Sequence, residues 1–105
     1  MNVILTYSKK NASLVVEGGV VADNVSLLQE KLEEILQSDA KKLAIDMSAC
    51  AMISSIGIGK MVSFYNDFIQ KKGQIEMITC SKEIYNLFSV IKLNQLIRLE
   101  TAKED

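Results

Sequence analysis

Residues 42–79 read KLAIDMSACAMISSIGIGKMVSFYNDFIQKKGQIEMIT. The segment opens on a short apolar run, KLAIDM (42–47), which reads as a buried strand. A connection of small residues, SACAMI (48–53), follows. Apolar residues then recur at helical spacing from about Ser55 to Lys72. Gly73 closes that helix, as glycine commonly does at a helix C-terminus. QIEMIT (74–79) reads as the next strand. A strand, a helix and a strand joined by short connections form a right-handed crossover between parallel neighbours.

The same alternation continues on both sides. Upstream, NVILTY (2–7) and ASLVVE (12–17) are rich in β-branched and aromatic residues and read as a hairpin around the polar turn SKKN (8–11). Gly18 and Gly19 end the second strand. Val25, Leu28, Leu32, Ile35 and Leu36 then follow the spacing of an amphipathic helix, with Asp23 or Asn24 available as its cap. Its Glu30, Glu33 and Glu34 read as a solvated face. Downstream, KEIYNLFSVI (82–91) has helical spacing in Ile84, Leu87, Phe88 and Ile91, with Ser81 as cap. LIRLE (96–100) reads as a last short strand, and a polar tail begins at about residue 101. The order β-β-α-β-α-β-α-β implies an α/β fold with a mixed, mostly parallel sheet of four or five strands packed with helices. No repeat or linker interrupts it, so residues 1–105 read as a single domain.

Composition excludes several functions. The chain carries 12 Lys and Arg against 13 Asp and Glu, a net charge of -1. It has no concentrated basic stretch of the kind that nucleic-acid binding needs. Histidine is absent, which removes the commonest general base and metal ligand. Cys50 and Cys80 stand 30 residues apart with no ligand spacing around them. They read as buried reduced thiols, and neither a metal nor a cofactor is expected. No apolar run is long enough to span a membrane, and the start MNVILTYSKK does not have the pattern of a signal peptide. A cytoplasmic protein is expected.

Chemistry-bearing residues gather in ISSIGIGKM (53–61), at the carboxyl end of a strand, where α/β sheets place their sites. A phosphate loop, G-x-x-x-x-G-K-[ST], would put its first glycine at Ser54 and its closing hydroxyl at Met61, so two of its four positions fail. The dinucleotide pattern G-x-G-x-x-G fits Gly57 and Gly59 but ends on Val62. A nucleophilic Ser54 or Ser55 needs a base, and Lys60 falls on another side of the helix. What remains is a recognition surface at a helix N-terminus, where unpaired amides and the helix dipole favour negative charge. With Ile58 at zero on the helical wheel, Met61, Val62, Tyr65, Phe68 and Ile69 lie within about 80° and form the expected core stripe. Ile56 falls at about 160°, close to Lys60 and Asp67, and so points away from that stripe.

The run DMSACAMISSIGIGKM (46–61) resembles the signature of the STAS domains, the family of bacterial anti-sigma factor antagonists and sulphate-transporter tails. Their pattern D-L-S-x-x-x-x-I-D-S-[ST]-G-L-G lies over residues 46–59 without a gap. KKGQIEMITCSKEIYNLFSVIKLNQLI (71–97) resembles the rest of the family pattern. The resemblance implies a non-enzymatic regulatory domain that binds protein partners. In the antagonist branch the implied partner is an anti-sigma factor that is also a serine kinase of the histidine-kinase-like ATPase type. It phosphorylates the [ST] position and the complex separates.

This chain departs from the pattern at three places. Ile56 occupies the phosphoacceptor position, Ser54 replaces the preceding aspartate, and Lys92 replaces a glycine. The phosphate switch is therefore expected to be lost, or moved to Ser55. The residues expected to meet a partner are Ser54, Ser55, Ile56, Gly57 and Lys60. An alternative implied by the same resemblance is a STAS subunit of a larger assembly, such as a stress-signalling complex or a lipid-transport machine.

Overall fold

Alternation of apolar and polar residues along each strand gives the sheet one greasy face, and the helices cover it. The structure is a computed structural model that describes residues 1–102. Strands β1 (Asn2–Ser8), β2 (Asn11–Glu17), β3 (Lys42–Met47), β4 (Gln74–Cys80) and β5 (Leu99–Thr101) form one sheet in the order β1-β2-β3-β4-β5. β1 pairs antiparallel with β2, through a two-residue turn between Ser8 and Asn11; every other pairing is parallel. Helices α1 (Val25–Gln37), α2 (Ser55–Gln70) and α3 (Lys82–Val90) form the crossovers. From β2 to β5, strand order in the sheet follows chain order. Right-handed crossovers then place all three helices on one face. Burial agrees: Leu14, Val16, Leu43, Ile45, Met47, Ile78 and Cys80 are buried, while Ser13, Asp46 and Glu76 point to the open face and are exposed.

β4 keeps its apolar residues inward by a local irregularity. Leu43 pairs with Ile75 and Ala44 with Met77, so Glu76 is an extra residue. That bulge puts Ile75, Ile78 and Cys80 on the same face despite their odd spacing.

α2 differs from its expected orientation. Its buried residues are Gly57, Met61, Phe64 and Phe68. Phe64, missing from the expected stripe, stacks on Phe68 with ring centroids 5.2 Å apart. Val62 and Ile69, placed in the expected core, are 36% and 44% exposed, and Ile58 and Tyr65 are half-buried. From Phe64 round to Val62 the apolar arc of the helix spans about 160°, wider than the face the sheet covers, so the wheel alone leaves its rotation open. The sheet takes the side with the two phenylalanines, which have the most area to bury.

The helix ends also differ from expectation. After α2 the left-handed residue is Lys72 (φ 67°), not Gly73. The amides of Lys72 and Gly73 donate to Ile69 O (2.9 Å) and Phe68 O (2.7 Å), which satisfies two orphan carbonyls. Gly73 is required for space: a Cβ there would stand 2.6 Å from the Phe68 ring. Lys92 does the same work after α3, with φ 64° and its amide bonded to Ser89 O. Asn24 stands at the N-cap of α1, but its side chain serves the preceding turn. Its Oδ1 accepts from Val21 N and its Nδ2 donates to Gly19 O. The final strand begins at Leu99, because Leu93–Gln95 form a 3-10 turn that buries Leu93 and Ile97 instead. Thr101 belongs to β5, and residues 103–105 of the expected tail lie outside the described residues.

Candidate partner-binding site

The surface at the start of α2 is built by two loops that leave the sheet side by side. At the end of β3, Asp46 Oδ1 accepts from Ser48 N (2.9 Å) and Ser48 Oγ (2.6 Å), an Asx turn that ends the strand. The next residues are held by the segment leaving β2. Gly18 N donates to Ala49 O, Val20 N to Met52 O, and Ser54 N to Val20 O, at 2.8 to 3.0 Å. Val20 and Ile53 form an isolated parallel bridge with both side chains buried. These bonds fix the residue that begins α2.

That residue is Ser54, whose Oγ accepts from Gly57 N at 3.3 Å. It is an N-cap, the role that suits serine or aspartate at a helix start. Ser55 is the first helical residue and is exposed. Ile56 is second and is 50% exposed, and Met52 in the loop before it is 51% exposed. The amides of a helix's first turn have no intrahelical partners and face outward. An exposed hydroxyl, two exposed apolar side chains and free amides therefore share one corner of the molecule.

The two glycines play opposite parts. Gly57 is buried, and a Cβ there would meet Ile53 Cγ1 at 2.7 Å and Val20 Cγ1 at 2.9 Å. It is a packing position, not the contact position expected from the sequence, because the helix must sit tightly on the Val20–Ile53 bridge. Gly59 is exposed, with nothing within 4 Å of where its Cβ would be. Lys60 is half-buried and turned toward α1, where it lines a groove with Gln29, Glu33 and Asp67. The five expected residues are thus one contiguous helix start in which Ser54 caps, Gly57 packs, and Ser55, Ile56 and Lys60 reach solvent at least in part. Met52, in the 48–53 connection, is not among the residues expected from the sequence to meet a partner. Its exposure follows from the pairing with the 18–21 segment, which no local pattern announces.

Cys50 lies in the loop that leads into this corner, and Cys80 ends β4 with its thiol toward Glu100 O of β5. Cys50 Sγ donates to Met52 O (3.3 Å), and Ser81 Oγ donates to Cys50 O (3.0 Å), joining the loop to the start of α3. Burial pushes the Cys50 thiol up and that of Cys80 to about 11, so both are protonated at neutral pH. Among the described residues no three His, Cys, Asp or Glu side chains come together as metal ligands. Among those residues, too, no helix is long and apolar enough to cross a membrane.

Comparison with known proteins speaks to the family and the fold. The STAS domain model matches residues 4–105. No curated protein matches. A crystal structure of an anti-sigma factor antagonist from Mycobacterium paratuberculosis superposes with a TM-score of 0.82 at 14% identity, covering 94% of this chain and 84% of that one. The anti-sigma factor antagonist SpoIIAA in its unphosphorylated form gives 0.80 at 13% identity, covering 98% and 90%. The Bacillus cell fate determinant SpoIIAA in its phosphorylated form gives 0.77 at 13%, covering 98% and 93%. At such identities the structures speak for the fold, and the family model, matching nearly the whole chain, speaks for descent: this chain belongs to the STAS domain family.

Proposed function

We propose that this chain is a non-enzymatic, cytoplasmic regulatory domain that docks a protein partner through the start of α2. The partner fits the type of an anti-sigma factor and serine kinase built on a histidine-kinase-like ATPase. Ser54, Ser55, Ile56 and Lys60 form the contact, with Gly57 seating the helix beneath them. The observation that carries this reading is Ile56. It is an apolar side chain, half exposed at the second residue of α2, four residues after an equally exposed Met52. Isolated exposed apolar residues mean little, but two together at a helix start with unpaired amides suit a buried contact.

The usual phosphoacceptor position has no hydroxyl, so docking here is not reversed by phosphate. Ser55, one position earlier, is exposed and is the residue to which a switch would have moved. A one-residue step turns the side chain by about 100° around the helix axis, so a kinase set for the next position reads Ser55 poorly. The experiment is titration calorimetry with the cognate kinase. Ile56→Lys should weaken binding by a factor of about ten to a hundred, in the range of an interface anchor. Ile4→Lys, at an equally exposed apolar residue on β1, should leave it unchanged. Equal affinity of all three proteins would refute the site. Recovery from cell extract of a transporter ATPase or large scaffold in place of the kinase would favour the larger-assembly role.

A further inference from the structure

We propose that the apolar flanks of α2 and α3 form a self-association surface through which two copies of this chain pair about a two-fold axis. α1 and α2 pack against one another, whereas α2 and α3 each rest on β4 and barely meet. The flank of α2 toward α1 carries Lys60, Ser63 and Asp67. The flank of α3 toward the end of β5 carries Lys82, Tyr85 and Asn86. The remaining flanks therefore border the same gap above β4. On α2 that flank carries Ile58, Val62, Tyr65 and Ile69, a run at i, i+4, i+7 and i+11 about 16 Å long. On α3 it carries Leu87, Val90 and Ile91. Val62, Ile69, Val90 and Ile91 are 36%, 44%, 78% and 43% exposed. This stripe is separate from the buried stripe of α2, and no charged side chain interrupts it.

Exposed apolar side chains gathered on neighbouring flanks, with half-buried Ile58, Tyr65 and Leu87 between them, mark an interaction surface, and the charges at its ends select the occupant. At the C-terminal ends of the two helices stand Lys72 and Lys92, both exposed. At the other end, on the same flank of α3, stands exposed Glu83. Two-fold pairing with the helices antiparallel brings the lysine end of each copy to the glutamate end of the other, and an isologous contact of this kind closes on itself. It also opposes the helix dipoles favourably. With a net charge of -1, the two copies repel little overall. A stripe of this length, with a polar rim, can serve as the apolar core of a patch of about 800 Å² per subunit, the standard size of a specific protein–protein interface.

The test is sedimentation equilibrium of the purified chain alone, from about 1 μM to about 1 mM, a range that covers weak to firm pairing. A monomer–dimer equilibrium is expected. Val90→Asp, at a position too exposed to affect folding, should raise the dissociation constant at least about tenfold. Glu83→Lys should weaken pairing, and Glu83→Lys with Lys72→Glu and Lys92→Glu should restore it. A monomer throughout, or a dimer indifferent to Val90→Asp, would overturn the proposal. No partner protein is present, so the result is independent of the docking site at Ile56.

Discussion

Replacing each α2 glycine by alanine should move stability in opposite directions. Both positions are helical, so alanine gains roughly 0.8–1.0 kcal/mol of helix propensity at either. Gly59 has only open space around it, so that gain stands alone. Gly59→Ala should stabilise the fold by about 1 kcal/mol, which in a domain of this size raises Tm by roughly 4–8 °C. At Gly57 the new methyl would stand 2.7 Å from Ile53 Cγ1 and 2.9 Å from Val20 Cγ1. Both neighbours are buried, at 6% and 0% exposure. Overpacking of this kind costs about 1–3 kcal/mol. After the propensity gain, Gly57→Ala should lose up to about 2 kcal/mol. Urea unfolding followed by circular dichroism reads both, as midpoint shifts at unchanged slope. A stabilised Gly57→Ala, or a destabilised Gly59→Ala, would refute the account of how α2 sits on the sheet. A Gly59→Ala protein that is more stable yet binds the partner less well would show what keeps glycine there.

Other expectations follow from the helix ends and the thiols. Lys72→Gly and Lys92→Gly should each stabilise by about 0.5–1 kcal/mol, because L-residues pay roughly 1–2 kcal/mol for a left-handed backbone, partly offset by the greater entropy of an unfolded glycine; chemical denaturation measures the gain. Lys71 Nζ donates to Leu36 O and Ser38 O, both at 2.7 Å, so it caps α1 from the end of α2. Lys71→Met should cost about 1–2 kcal/mol and raise amide exchange in the last turn of α1. The Cys80 thiol is raised from 9.0 to about 11 in the fold. The unfolded chain therefore ionises first as pH rises. The stability tied to the Cys80 proton is full below pH 9 and lost between about 9 and 11. Cys80→Ala should flatten that part of the pH–stability curve.

Much of this molecule was legible in its sequence. Strand and helix types followed from periods of two and 3.6, and the turn at residues 8–11 followed from its polarity. What stayed hidden depends on neighbours distant in sequence. The rotation of α2 is set by where the sheet and α1 lie, so the helical period alone leaves Phe64 out of the core stripe and puts Val62 and Ile69 in it. The bulge at Glu76 and the short β5 come from pairing register, which a single strand does not show. At the site, the outward Ile56 followed from helix geometry, whereas the capping role of Ser54 shows only in its bond from Gly57 N. The burial of Gly57 depends on Val20, which lies 37 positions away and reaches the helix only through the bridge to Ile53. Lys72 in a left-handed position breaks the preference for glycine, and only the backbone reveals it; Lys92 stands where the family pattern has a glycine, and its φ of 64° fits a left-handed helix end.

Docking at the start of α2, as proposed, is not reversed by phosphate. The decisive experiment is incubation of the wild-type chain and Ile56→Ser with the cognate kinase and ATP, followed by intact mass and affinity measurement. The wild type should gain no phosphate and keep its affinity, while Ile56→Ser should gain one phosphate and lose binding. Stoichiometric phosphate on wild-type Ser54 or Ser55, with release of the partner, would contradict it.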